Sequence, residues 1–142
     1  MTTKNYHELI KNRIYIGGAD DAQDMMNNEK ADIVFDLRAE AKNHNPEYNR
    51  IHSPIVDDAG EQDESVKEAI EQVVSAYKEG KKIYFHCQGG SNRTGTVAIG
   101  TLLELEQAKT IEEAENIAKT ARPKINVKPE MQETLKRLYP NA

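Results

Sequence analysis

The sequence predicts an α/β fold: one domain over residues 1–142, with a mostly parallel sheet of four to five strands flanked by helices. Short apolar runs bounded by turn residues alternate along the chain with longer segments of helical periodicity. Such alternation is typical of a sheet whose parallel strands are joined by helices. The composition agrees, because 142 residues with 37% hydrophobic and 30% charged residues suit one globular domain with its own core.

Four apolar runs are predicted to be strands. Residues 14–16 end at a Gly-Gly turn, and residues 33–37 form a short buried run. Residues 51–56 contain a proline, which places that strand near an edge or a bend of the sheet. Residues 83–85 form a run that is too short for a helix, because Gly80 precedes it and a glycine-rich loop follows it. The run is therefore predicted to be a central strand.

Five segments have the signals of helices. Asp20 or Asp21 is predicted to cap a first helix that runs to about Glu29, and apolar residues at helical spacing over 66–77, followed by a glycine, predict the second. The third covers residues 93–107. A Thr-x-x-Glu capping box at 110–113 begins the fourth, and an apolar stripe starting at Met131, just after a proline, marks the fifth.

A glycine-rich loop with the sequence HCQGGSNRTG, residues 86–95, joins the central strand to the third helix. It contains the only cysteine of the chain, Cys87, and places Arg93 where the helix begins. In open α/β sheets, ligands bind beyond the carboxyl ends of the strands, where Cys87 falls. Three features should stabilise its thiolate: the positive end of the helix, the N–H groups of the loop and the guanidinium. The loop is therefore predicted to hold a tetrahedral dianion over a nucleophilic sulfur.

The loop resembles the signature of the cysteine-dependent protein tyrosine phosphatases, which is His-Cys, five residues, Arg, and then Ser or Thr. The short chain and the absence of tryptophan resemble the dual-specificity branch of that superfamily. In that branch an acidic residue precedes the cysteine by roughly thirty positions, often three places after a proline, and Asp57 follows Pro54 here in that way. The neighbouring Asp58 competes for the same role.

The resemblance implies a role for each residue of the signature. Cys87 is the nucleophile, Arg93 holds the phosphate, Thr94 donates to the departing thiolate, and Asp57 is the general acid and then the base. His86 is expected to position the loop and not to move protons. The substrate-binding set is expected to comprise Gln88, Gly89, Gly90, Ser91, Asn92 and Arg93. Because arginine and backbone amides supply the positive field, no metal or other cofactor is expected.

The predicted substrate is a phosphorylated protein or peptide, with phosphotyrosine first and phosphoserine or phosphothreonine also possible. The five residues between Cys87 and Arg93 include no basic side chain, and the acidic stretch 57–64 would repel a polyphosphate. An inositol phosphate or pyrophosphate stays a second hypothesis, because residues 34–40, VFDLRAE, resemble atypical members of the superfamily with such substrates. A phosphopeptide-binding module and a redox sensor are two further hypotheses. Loss of a catalytic residue would favour the module, and the sensor lacks a resolving cysteine.

Net charge and composition narrow the classes of partner and location that the sequence predicts. The formal net charge of −5, without clustered Lys and Arg, argues against nucleic acid as a partner. A single cysteine, no signal peptide and no apolar run long enough for a membrane span predict a cytoplasmic protein without membrane contact, which we expect to be a monomer. Asp36 and Arg38 are expected to pair at a strand end, and Arg122 to be a surface charge or a brace for a loop.

Overall fold

A computed structural model describes residues 5–41, 49–56 and 62–142. Within these ranges, five strands form one sheet in the order β1-β2-β5-β3-β4. Only the β1–β2 pair is antiparallel, and the other neighbours run parallel. The strands are β1 His7–Ile10, β2 Ile14–Gly18, β3 Ile33–Arg38, β4 Arg50–Ile55 and β5 Ile83–Cys87. This confirms the predicted α/β class, the central position of β5 and the edge position of the proline-containing strand. The additional strand is β1, which no sequence pattern predicted.

The helices are α1 Ala22–Glu29, α2 Asp63–Lys78, α3 Asn92–Glu104, α4 Ile111–Ala121 and α5 Pro129–Leu138, with a short 3-10 turn at Ala19–Asp21 before α1. The prediction that α3 continues to residue 107 is wrong. Glu106 has a φ of 58°, and the N–H groups of Glu106 and Gln107 donate back to Leu103 and Leu102. Such a left-handed residue closes a helix, and because no glycine marks it, the sequence carries no stop signal there.

The sheet is covered on both faces, as parallel sheets require. Alternate residues of β2 and β5 point to opposite faces, so that Ile16 and Phe85 belong to the larger cluster of buried residues and Tyr15 and Tyr84 to the smaller one. The larger cluster is closed by α2, α3, α4 and α5, and the smaller one by α1. Most of α3 is buried, which fixes its first residue at the carboxyl end of β5. The glycine-rich loop therefore lies between a fully buried strand and a mostly buried helix.

Along the described ranges, no helix combines the length and the apolar character that crossing a bilayer requires.

Candidate active site

The backbone of the loop between β5 and α3 is held from outside through four consecutive carbonyl groups. The carbonyl of Gln88 accepts from the N–H of Ala19 at 3.1 Å, and that of Ser91 from the N–H of Asn126 at 3.4 Å. Between them, Arg122 donates from Nη2 to the Gly89 carbonyl at 3.2 Å and from Nε to the Gly90 carbonyl at 2.8 Å. No carbonyl of this run is left to point into the loop.

The orientation of these carbonyls fixes the orientation of the amides. In a trans peptide the C=O and the N–H point in opposite directions, so the N–H groups of residues 89–92 are directed away from the external donors. Gly90 makes this path possible: its φ is 71°, and a Cβ atom there would lie 2.5 Å from the Gly17 carbonyl carbon and 2.6 Å from Arg122 Nη2. The result is a loop whose amides face one side, as in an anion nest.

Arg122 is the brace of the loop. Only 1% of this residue is exposed. Besides the two loop carbonyls, its Nη1 contacts the Asn5 carbonyl at 2.5 Å and His7 Nδ1 at 2.9 Å. Of the two roles expected for Arg122, the structure therefore shows the second one, and a surface location is wrong.

Two side chains of the predicted substrate-binding set are also structural anchors. The Ser91 hydroxyl donates to the Lys124 carbonyl at 2.9 Å, and Asn92 Oδ1 accepts from the Lys128 N–H at 2.8 Å. Both contacts tie the loop to the segment between α4 and α5. The side chain of Gln88, by contrast, lies at the surface and accepts at Oε1 from Arg38 Nη1 at 3.0 Å.

The sulfur of Cys87 lies at the end of β5, with 3% of the residue exposed. Thr94 Oγ1 accepts from the Cys87 N–H at 2.9 Å and lies 3.1 Å from Sγ and 3.4 Å from the Gly17 carbonyl. The hydroxyl thus lies closer to the sulfur than to the Gly17 carbonyl, in position to donate a hydrogen bond to Sγ. His86 Nδ1 donates to the Cys87 carbonyl at 3.1 Å, and burial lowers the pKa of His86. A neutral, buried His86 suits the positioning role expected for it.

The guanidinium of Arg93 is bound end-on by a carboxylate that sequence reasoning did not assign. Glu40 accepts from Nη1 at 2.6 Å and from Nη2 at 2.8 Å, and the Ile55 carbonyl accepts from Nη1 at 2.9 Å. The Arg93 side chain is 3% exposed and that of Glu40 is 55% exposed. Hydrogen bonding to Arg93 lowers the pKa of Glu40 to about 2, so the carboxylate stays ionised across the physiological range.

A buried ion cluster supports the other side of the loop. Asp36, fully buried, accepts from Arg38 at 2.9 Å and from Arg50 at 2.8 Å. Burial raises its pKa, but hydrogen bonds from Arg38 and from Arg50 together hold the pKa of Asp36 well below its usual range. The expected pairing of Asp36 with Arg38 is confirmed, and Arg50 is an additional partner.

The predicted general acid lies outside the described residues, as does the competing Asp58. The chain that leads to Asp57 leaves β4 at Ile55, whose carbonyl contacts Arg93, and passes Val56, which is 46% exposed. The described residues therefore bring together Cys87, Thr94 and Arg93, add Glu40 and Arg122, and leave the acid as a prediction.

Comparison with known proteins identifies relatives of the same kind. Residues 14–140 match the family model of the dual specificity phosphatase catalytic domain. A probable dual specificity protein phosphatase from Dictyostelium discoideum is 28% identical over 104 residues. The match covers 68% of this chain and 36% of the relative, so the chain spans about a third of that protein's length.

Solved structures share the fold over nearly the whole chain. The active form of Tk-PTP has a TM-score of 0.80 at 23% identity and covers 99% of this chain and 100% of its own. Human DUSP28 has a TM-score of 0.81 at 15% identity, covering 96% of this chain and 93% of its own. At such identities the likeness shows the fold.

The buried ion cluster gives a stability prediction. Replacing Asp36 with Asn leaves two arginines on a neutral partner, and we expect the free energy of unfolding at neutral pH to fall by about 3–5 kcal/mol, the usual cost of breaking a buried pair. Urea denaturation measures it. The matched control is Asp63→Asn, which removes a carboxylate bound to Arg137 at 2.8 Å at the surface and should cost about 1 kcal/mol or less. Equal losses in the two variants would contradict the role of the cluster.

Proposed function

The chain belongs to the family of dual specificity phosphatase catalytic domains, and from this premise we propose that it hydrolyses phosphate monoesters through a phosphocysteine intermediate. The preferred substrate is phosphotyrosine in proteins, with phosphoserine and phosphothreonine as secondary substrates. The observation that carries the proposal is the arrangement of the loop: Cys87 Sγ lies beside the Thr94 hydroxyl, and the carbonyls of residues 88–91 are all bound from outside. A thiolate nucleophile requires a reducing compartment, which supports a cytoplasmic location, and we propose that the protein acts there as a monomer.

In the first step, the Cys87 thiolate attacks phosphorus in line with the leaving oxygen. The S–P bond forms as the P–O bond to the substrate breaks, and the departing oxygen takes the proton of Asp57 to leave as a neutral alcohol or phenol. The N–H groups of residues 89–92 bind the equatorial oxygens, where negative charge spreads in the transition state.

In this proposal Arg93 binds the equatorial oxygens of the phosphate with one edge of its guanidinium, while Glu40 binds another edge of the same group. A guanidinium has five N–H donors in a plane. Glu40 takes the end-on edge formed by Nη1 and Nη2. The lateral edge, formed by Nε and Nη2, is the fork through which we propose that Arg93 binds two phosphate oxygens. Glu40 is then a positioning residue, because it fixes the plane of the fork before the substrate arrives.

In the second step, water attacks the phosphocysteine and Asp57, now ionised, accepts one of its protons. The new P–O bond forms as the S–P bond breaks, and the electron pair returns to Cys87 Sγ. Thr94 Oγ1, 3.1 Å from the sulfur, stabilises the charge that develops there. The products are inorganic phosphate and the thiolate enzyme, and Asp57 is protonated again for the next turnover.

The surroundings of the loop support a singly phosphorylated substrate. Its side chains include no Lys or Arg between Cys87 and Arg93, and the carboxylate bound to Arg93, that of Glu40, is exposed. A second phosphate would meet that negative charge. One observation favours the second candidate, an inositol phosphate: Arg38 and Arg50 share a single carboxylate, and Arg38 contacts Gln88 at the loop surface. The cluster therefore has one net positive charge next to the loop.

The class of the reaction is tested by hydrolysis of para-nitrophenyl phosphate. Cys87→Ser should abolish turnover, because a serine hydroxyl is not ionised at neutral pH, and a chelator should leave the native rate unchanged. Rapid acid quenching of the native enzyme with radiolabelled phosphopeptide should trap phosphate on Cys87. A phosphopeptide that binds without being hydrolysed would instead indicate a binding module, and faster hydrolysis of inositol phosphates than of phosphotyrosyl peptides would replace the preferred substrate by the second candidate.

The general acid is tested by a matched pair of variants. Asp57→Ala should lower kcat about 10²- to 10⁴-fold for a phosphoserine peptide, the usual contribution of general acid catalysis, and less for a phenyl phosphate with a good leaving group. Asp58→Ala is the control, and kcat should stay near the native value. The reverse pattern would assign the acid to Asp58.

The positioning role of Glu40 is tested by Glu40→Gln. An amide offers one acceptor where the carboxylate offers two, and its NH₂ group opposes one of the guanidinium nitrogens. A misplaced fork should lower kcat/KM roughly 10- to 100-fold, as small displacements of catalytic groups do. Glu113→Gln, at an exposed position on α4, is the control. If Glu40→Gln keeps native kcat/KM, the carboxylate does not orient Arg93.

A further inference from the structure

We propose that His7 is a positioning residue for the catalytic loop, which it supports through Arg122 only while Nδ1 of its ring is unprotonated. The proposal rests on the proposed function, because the quantity it controls is the activity of the loop. It assigns to the N-terminal strand β1, which lies at the sheet edge away from β5, a direct influence on the phosphate site.

The guanidinium of Arg122 bridges two parts of the chain. Its Nε and Nη2 donate to the carbonyls of Gly90 and Gly89 in the loop, and its Nη1 lies 2.5 Å from the Asn5 carbonyl and 2.9 Å from His7 Nδ1. With 1% of the residue exposed, Arg122 has no bulk water to replace a lost partner. The position of the guanidinium beneath the loop therefore depends on its partners in the N-terminal segment.

The contact with His7 determines which nitrogen of that ring carries the proton. A guanidinium has donors and no acceptor, so a hydrogen bond to Nδ1 requires a lone pair there. Neutral His7 must then be the tautomer protonated at Nε2. A second proton would occupy Nδ1, break the hydrogen bond and place a positive charge directly against Arg122.

His7 has access to a proton because it lines a polar cleft of about 620 Å³ whose wall includes Gln88 and Gly89 of the loop. Charged or titratable groups from several elements line a cleft together with His7 or act on it electrostatically. They are Glu8 on β1, Tyr15 on β2, Asp20 and Asp21 on the 3-10 turn, Glu29 on α1, and Arg122 and Lys124 after α4. Burial, then Arg122, lowers the pKa of His7, with Asp21 opposing and Lys124 adding to the shift.

The direction of the effect follows from the lowered pKa. The folded state disfavours the proton relative to the unfolded state, so the stabilising contribution is complete above the ordinary pKa of 6.5. It is lost as the pH falls from that value through the lower pKa of the folded state. In the same window the brace of the loop weakens, so catalytic activity should fall with it.

Three variants separate this effect from other titrations. His7→Asn keeps an acceptor at the δ position but cannot be protonated, and His7→Leu removes the acceptor. Glu8→Gln, on the same strand, changes a neighbouring carboxylate that accepts from the Asn12 N–H and serves as the control. The measurement is kcat/KM for para-nitrophenyl phosphate from about pH 5 to about pH 8, the range in which histidine titrates, with each variant expressed as a ratio to the native enzyme. The ratio cancels the ionisation of the substrate, the nucleophile and the general acid.

Near pH 8 we expect His7→Asn to equal the native enzyme and His7→Leu to be about tenfold slower, as for loss of a hydrogen bond to a charged group. As the pH falls below the ordinary pKa of histidine, the native enzyme should lose activity relative to His7→Asn and approach His7→Leu, because protonation of Nδ1 removes the same hydrogen bond. Glu8→Gln should follow the native enzyme throughout. Ratios that do not change with pH would overturn the proposal, even with His7→Leu slow, because a merely structural role gives no such dependence.

A second measurement needs neither variants nor activity. Two-bond proton–nitrogen NMR correlations of the native protein show which ring nitrogens of His7 are protonated, and we expect the Nε2–H tautomer at neutral pH. A proton on Nδ1 at neutral pH would overturn the proposal. If the protein shows this tautomer but hydrolyses no phosphate monoester, the contact stands while the proposed function, and with it the control of activity, is refuted.

Discussion

The hydrogen bonds from Arg122 to the carbonyls of Gly89 and Gly90 are the constraint on which the site depends. A glycine-rich loop has many conformations, and an anion nest is only one of them. Hydrogen bonds that hold the carbonyls outward select the anion-nest conformation, and they leave the N–H groups of the loop available to a ligand. The N–H groups are therefore already oriented in the absence of a ligand, and in the proposed reaction this would spare the cost of orienting them, as electrostatic preorganisation requires. The positive charge of Arg122 lies on the outer side of the loop, where it adds to the field on the anion without touching it.

The end of β3 performs the complementary task on the opposite side. Asp36, Arg38 and Glu40 alternate along the chain, and each binds a group of opposite charge or, for Arg38, also the Gln88 side chain. Asp36 and Arg38 are alternate residues of β3, and Glu40 lies in the turn that follows, so one short stretch of chain delivers two carboxylates and a guanidinium to neighbouring positions. The fully buried carboxylate of Asp36 satisfies two arginines, whereas the exposed Glu40 fixes a third, Arg93. The end of β3 and the turn after it thus hold both the buried ion cluster and the guanidinium of Arg93.

How far the sequence predicts this site depends on the distance between partners along the chain. Cys87, Arg93 and Thr94 form a local signature, and strand–loop–helix signals place them correctly, so their positions at the end of β5 and the start of α3 follow from sequence alone. Arg122 and Glu40 lie 35 and 47 positions from Cys87, and their partners are backbone carbonyls or a guanidinium that no spacing rule reveals. The strand β1 escapes prediction for a related reason: it pairs antiparallel with β2 across a turn in which Asn12 has a positive φ, and its four residues show no continuous apolar run. Local periodicity in the sequence identifies helices and strands. The contacts that fix the conformation of the loop are made by residues distant in sequence, and only the folded topology brings these together.

The distribution of charge around the loop explains how one arginine can serve two anions. Glu40 neutralises Arg93 in the absence of substrate, which lowers the cost of keeping a guanidinium 3% exposed. A carboxylate that bound both edges of the guanidinium would compete with phosphate. Glu40 binds only the end-on edge, formed by Nη1 and Nη2, so the lateral edge, formed by Nε and Nη2, is the one proposed for phosphate. The depressed pKa of Glu40, about 2, means that this arrangement does not change between mildly acidic and neutral pH. In the proposed His7–Arg122 contact, by contrast, protonation of Nδ1 would remove the acceptor that the guanidinium uses. A sensitivity to acid that arises at the N-terminal strand can act on the amides of the loop while the arginine fork stays fixed.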